Sequence, residues 1–186
     1  MNASTEPGTA RPGGPVSAPR PALIGLDGRS GAGKTTLAAA LAARLAPHAR
    51  VDVLHIEEMY PGWDGLAAAT ADDGPYVRAV AALAAGRPAG WRAWDWHAGA
   101  PGEARALDPD ALDVVVCEGV GALCPGARPL LDLAVWVDAP EDVRRTAALA
   151  RDGDAYAPHW ERWARQEEAY LAAADPAGAA DLRLST

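Results

Sequence analysis

The sequence predicts an α/β fold, a three-layer sandwich in which helices cover both faces of a mostly parallel five-stranded sheet. Three observations predict it. Short apolar runs of strand length alternate with longer stretches of helical spacing. Two of those runs, residues 112–117 and 133–137, are apolar at nearly every position, as strands buried on both faces are. A glycine-rich loop stands between the first strand and the first helix, at the sheet edge where such folds place their ligands.

The elements follow in order. Residues 1–21 are rich in Pro, Gly, Ser, Thr and Ala and bury too little to order themselves, so a disordered tail is expected. Residues 22–186 form the predicted domain. The apolar run 22–26 is the first strand, and residues 35–45 are a helix with Leu37, Leu41 and Leu45 on one face. Residues 51–56 are the second strand, and Pro61-Gly62 is a turn signal. Helices are predicted over 66–71 and 76–85. Residues 87–109 read as irregular, with Trp91, Trp94, Trp96 and His97 among them. After the strands at 112–117 and 133–137, Pro140 opens a helix to about residue 151, with Glu141 and Asp142 in its first turn. A further helix covers 158–173, and residues 180–184 are a last short strand. Trp160, Trp163, Glu167 and Tyr170 share a face of that last helix, the spacing of a face packed on the sheet.

The segment Gly28-Arg29-Ser30-Gly31-Ala32-Gly33-Lys34-Thr35 has the form G-x-x-x-x-G-K-[ST], after a predicted strand and before a predicted helix. Its glycines let the backbone turn successive amides inward toward phosphate oxygens, and the helix adds its positive N-terminal end. Gly28, Ser30, Gly31, Ala32, Gly33, Lys34, Thr35 and Thr36 are therefore the predicted nucleotide-binding residues. Lys34 reaches the β- and γ-phosphates, and the Thr35 hydroxyl is a predicted Mg²⁺ ligand. Lys34 is also the only lysine in a chain whose other basic side chains are arginines, which points to a task for a compact point charge.

Acids stand at two other strand ends. Glu118 closes an apolar strand and is followed by Gly119, where a carboxylate can hold the water shell of a magnesium ion, although a solvent-facing acid fits the same position. Glu57 and Glu58 end the second strand. One of the two can face the cleft and accept the proton of an attacking hydroxyl, and the local sequence leaves open which.

Composition narrows the partners. A net charge of −8 disfavours nonspecific nucleic-acid binding and anionic membrane surfaces. No apolar run is long enough to span a bilayer, and the start of the chain lacks the basic-then-apolar order of a signal peptide, so a cytoplasmic setting is expected. Cys117 and Cys124 make no disulfide framework, and Cys117 reads as a small buried hydrophobe.

With these motifs the chain resembles the uridine kinase family of P-loop kinases, with pantothenate kinase and phosphoribulokinase as more distant relatives. The resemblance runs from Ala22 onward, and residues 60–65 and 156–160 resemble an actinobacterial branch of that group. It implies the P-loop NTPase fold, ATP and Mg²⁺ as cofactors, and a small-molecule hydroxyl as phosphate acceptor, uridine or cytidine being the family's kind. Glu57, with Glu58 as alternate, stands where the family's Asp-x-Phe-Tyr segment carries its base. Tyr60 aligns with that segment's tyrosine. Trp94-Asp95-Trp96-His97 is similar to the family's nucleoside-contacting Tyr-Asp-Phe and His, so Trp94, Asp95 and His97 join the implied acceptor site, with a core role for the tryptophans equally open. Arg144 and Arg151, with Arg145, stand in the matching lid segment, where arginines neutralise charge on the transferring phosphoryl group. Two other functions fit the loop: a nucleoside monophosphate kinase, whose anionic acceptor calls for arginines such as Arg78, Arg87 and Arg92, and a regulatory nucleotide-binding NTPase.

Overall fold

A computed structural model describes residues 20–186. Five strands form one parallel sheet: β1 (Ala22–Asp27), β2 (Val51–His55), β5 (Val114–Glu118), β6 (Leu133–Asp138) and β7 (Leu182–Ser185), in the order β2-β5-β1-β6-β7. Leu26 and His55 both pair with Glu118, so the ends of β1, β2 and β5 lie level at one edge.

Alternation divides β1, β2, β5 and β6 between two cores. Leu23, Leu54, Val115, Cys117 and Ala134 belong to one, and Leu26, Val116, Val135 and Val137 to the other. The smaller core is closed by helix α1 (Lys34–Leu45) through Ala38, Leu37 and Leu41. The larger is closed by α2 (Leu66–Thr70), α3 (Pro75–Ala84), the end of α4 (Glu141–Tyr156) and α5 (Trp160–Ala174), with a short α6 (Pro176–Ala179) leading into β7. This is the expected three-layer sandwich, and its five parallel strands are the five predicted. Cys117 and Cys124 are both buried and free, and burial pushes the Cys117 thiol up to about 12. No described helix is long and apolar enough to cross a membrane.

Four expectations are revised. The stretch 87–109 is mostly an antiparallel hairpin, β3 (Ala89–Asp95) with β4 (Ala100–Leu107), bulged between Arg92 and Trp94. Small residues at Gly90, Ala93, Gly102, Ala104 and Ala106 blunt the apolar alternation that marks a strand. Glu57 and Glu58 lie in a single 3₁₀ turn, Ile56–Met59, because β2 already ends at His55. Helix α4 continues past the predicted end near residue 151 to Tyr156, broken at Gly153 by a φ of 52° that only glycine adopts easily. The predicted tail through residue 21 mostly lies outside the described residues, but Arg20 is described and forms an ion pair with Asp132 at 2.7 Å.

Candidate active site

The loop after β1 is shaped by its glycines. Gly31 has φ 80°, and a side chain there would meet the carbonyl of Arg144. Gly33 caps α1 at φ 88° with no side-chain hydrogen bond to the helix, so the first amides of α1 are left for a ligand. Lys34 is 7% exposed and folds back over the loop, its Nζ donating to Gly28 O at 2.7 Å and Arg29 O at 2.9 Å. Burial lowers the Lys34 pKa, while the carboxylates of Asp27, Glu118 and Glu167 act to keep the ammonium charged.

Thr35 Oγ1 lies 3.2 and 3.3 Å from the two oxygens of Glu118. Glu118 is buried and takes a second partner, His55 Nδ1, at 2.6 Å. The hydrogen bond to Glu118 raises the His55 pKa against the opposing effect of burial. His55 was not marked by the sequence; only the level pairing of β2 with β5 brings it there.

Asp27 is the second residue the sequence reading missed. It is fully buried, and its carboxylate accepts from the amides of Gly28, Gly121 and Leu123 and from the Tyr170 hydroxyl. Desolvation raises its pKa, and these hydrogen bonds oppose the rise. It ties the phosphate loop to the segment after Glu118. The available signal was an acid at the end of an apolar strand, the same one that marked Glu118.

A cavity of about 520 Å³ opens over this edge. By chemistry its lining divides in two: Ser30, Gly31, Lys34, Thr35, Glu118 and Arg151 make up the half that carries the loop. Glu57 joins Tyr60, Trp63, Trp96, Tyr156 and Trp163 in the largely aromatic half. Trp63 stacks on Tyr156 at 5.4 Å and 11° and leans on Trp96 at 4.8 Å and 54°, while Tyr60 meets Trp163 at 4.9 Å. Tyr60 donates its hydroxyl to Val120 O at 2.7 Å. Helix α5 holds this wall, with Gln166 Nε2 donating to Trp63 O at 2.6 Å and Arg162 paired with Asp64.

The predicted site residues divide by position. Glu57 lines the cavity, whereas Glu58 turns away and accepts from Trp91 Nε1 at 3.1 Å. From residues 94–97 only Trp96 lines the cavity. The Asp95 carboxylate accepts from the amides of His97 and Ala98, both at 2.9 Å, and closes the hairpin turn, which lowers its pKa. Trp94 packs beside Gly62, and His97 is exposed on that turn. Arg151 lines the cavity, but Arg144 is buried beneath the loop, donating to Ala139 O at 3.1 Å and Ser30 O at 3.4 Å. Arg145 lies on a separate surface with Glu141, Asp142 and Thr146. The expected cluster of lid arginines thus meets the cavity through Arg151. Of the predicted nucleotide-binding set, Ala32 is buried with its carbonyl near Thr186 Oγ1, and Thr36 is exposed in the first turn of α1.

No protein-family model matches the chain. Solved structures do. One, from Bacillus stearothermophilus and described as a possible uridine kinase, is 21% identical with a TM-score of 0.63, covering 91% of this chain and 91% of that one. Another, from Silicibacter sp. TM1040 and described as a candidate fructose transport system kinase, is 21% identical with a TM-score of 0.62, covering 89% of this chain and 90% of that one. The chain thus shares its α/β fold with these two structures over about nine-tenths of its length.

Proposed function

We propose that the chain is an ATP-dependent phosphotransferase that moves the γ-phosphate to a hydroxyl of a small molecule. The observation that carries this reading is the single cavity that joins Lys34, Thr35 and Glu118 to Glu57 and an aromatic wall. Its volume, about 520 Å³, suits small ligands.

In this reading the loop amides and the N-terminus of α1 hold the triphosphate, and Lys34 leaves its two carbonyl partners to bind the β- and γ-oxygens. Thr35 and Glu118 present hard oxygens close together, which suits Mg²⁺. Among the described residues no group of three or more His, Cys, Asp or Glu could cage a metal. The ion would be held mainly by phosphates and water. Bound there, Mg²⁺ would neutralise charge on the phosphates. Glu57 orients the acceptor hydroxyl and takes its proton as the oxygen bonds to the γ-phosphorus, and ADP leaves. Arg151 faces the phosphate half and offsets the developing charge.

The acceptor half pairs one carboxylate with five aromatic side chains. That combination supports an uncharged acceptor with a planar or apolar face, nucleoside-like by resemblance. It argues against a nucleoside monophosphate, because Arg78, Arg87 and Arg92 do not line the cavity and Arg78 and Arg92 are engaged with backbone carbonyls. A regulatory NTPase would not need an acceptor half at all. A cytoplasmic setting belongs to the same proposal.

The test is ADP release from ATP and Mg²⁺ against a panel of nucleosides, sugars, simple alcohols and nucleoside monophosphates. Turnover that depends on one hydroxyl compound supports the reading. Equal turnover in every well, or turnover with the monophosphates alone, would sink it.

A further inference from the structure

Glu167 is a buried carboxylate with no part in the transfer chemistry above. It is 2% exposed on α5, among the charged groups that fold inside the molecule. Its Oε1 accepts from the Ser30 amide at 2.8 Å and from the Trp163 indole N–H at 3.0 Å. Its Oε2 accepts from Arg29 Nε at 3.0 Å. Such a charge is costly to bury unless it has work for both oxygens, and here three donors occupy them.

The donors come from two different elements, the glycine-rich loop and α5. Ser30 belongs to the phosphate half and Trp163 to the aromatic wall, and both line the same space. They share one oxygen atom. A stronger pull on Oε1 from one donor leaves less electron density for the other, so the two bonds are linked through that atom. Charge links them too, because Glu167 is among the carboxylates that favour the charged form of Lys34. A nucleotide phosphate at the loop takes Lys34 and draws on the same amide-rich backbone, which alters what Ser30 demands of Glu167.

We propose that Glu167 is a positioning residue that couples the two halves of the cavity, reporting occupation of the phosphate loop to Trp163 in the acceptor wall. This rests on the reading above in taking a nucleotide as the ligand of the loop. It needs no acceptor and no turnover, so the two can fail separately.

The experiment uses the full chain labelled with ¹⁵N at the tryptophan indoles, with MgADP as the probe. Trp163→Phe assigns the Trp163 indole resonance. We expect saturating MgADP to shift that resonance in the wild type and Glu167→Gln to abolish the shift. Coupling is reciprocal, so Trp163→Phe, a change in the acceptor wall, should alter MgADP affinity by about threefold or more in calorimetry, while Trp91→Phe, outside the cavity, leaves it unchanged. The Trp163→Phe measurement stands even where Glu167→Gln does not fold. A Trp163 resonance that ignores bound MgADP, or wild-type affinity in Trp163→Phe, overturns the coupling. Absence of MgADP binding to the wild type overturns the nucleotide reading beneath it.

Discussion

The two halves of the cavity are built on different principles. The phosphate half is framed by backbone: amides, glycines and one helix end surround Lys34, Thr35, Glu118 and Arg151, and the buried side chains of Asp27, Arg144 and Glu167 fix the frame from below. The acceptor half is side chain: rings contributed by the segment after β2, the β3–β4 hairpin, α4 and α5, packed against one another in stacked and tilted pairs. A backbone site recognises a chemical group common to many ligands, and its shape is dictated by local sequence. A wall of side chains can be re-cut by single substitutions without disturbing the sheet, so it is the half that can change its ligand.

Five tests, some with a paired control, would break or sharpen that contrast, in falling order of effect. Lys34→Ala should cut phosphoryl transfer by about 10³-fold, measured as ADP release at saturating ATP, because a preorganised charge is lost from a buried position. Lys34→Arg should fail to restore it, since the broad guanidinium does not fit where Nζ is wedged between two carbonyls. Glu57→Gln should lower kcat by about 10²-fold with the KM for ATP unchanged, while Glu58→Gln stays near wild type. Equal damage from both would erase the division between them. Tyr170→Phe removes one of four donors to the buried Asp27 carboxylate. Urea unfolding should show a loss of about 1.5–3 kcal/mol, and no loss would mean that the loop's underside is not held as described. Trp96→Ala should raise the KM for the acceptor by about tenfold and spare that for ATP, with His97→Ala silent. The smallest effect lies outside both halves. Asp113 is exposed and paired with Arg50, whose side-chain and backbone hydrogen bonds bring its pKa down to about 2. Its folded value lies below the unfolded one, so its contribution is complete above roughly pH 4 and is lost as pH falls through the folded pKa. The melting-temperature gap between wild type and Asp113→Asn should therefore close as the pH is lowered toward 2.

The same contrast explains what could be read from the sequence. The phosphate loop, the five strands and Glu118 were legible because each depends on a contiguous run with its own period or motif. Asp27 carried the same strand-end signal as Glu118 but sits next to the loop that drew attention away from it. His55 and Glu167 were not legible as site residues, since one arrives by strand register and the other by the docking of a helix more than a hundred residues along the chain. The tetrapeptide 94–97 shows the limit most plainly. Its resemblance pointed to Trp94, Asp95 and His97, yet β3 ends at Asp95 and it is Trp96, the first residue of the turn that follows, that lines the cavity.

The solitary Lys34 has a practical consequence for chemistry on the protein. Apart from its α-amino group, the chain offers amine-directed reagents a single target, and that target is sealed between two carbonyls of the loop it serves. Any acyl group found on a lysine of this protein reports an event at one known atom. The rate at which it appears then measures how often the loop lets its ammonium go, and any ligand that engages Nζ must slow that rate without a label or tag being introduced.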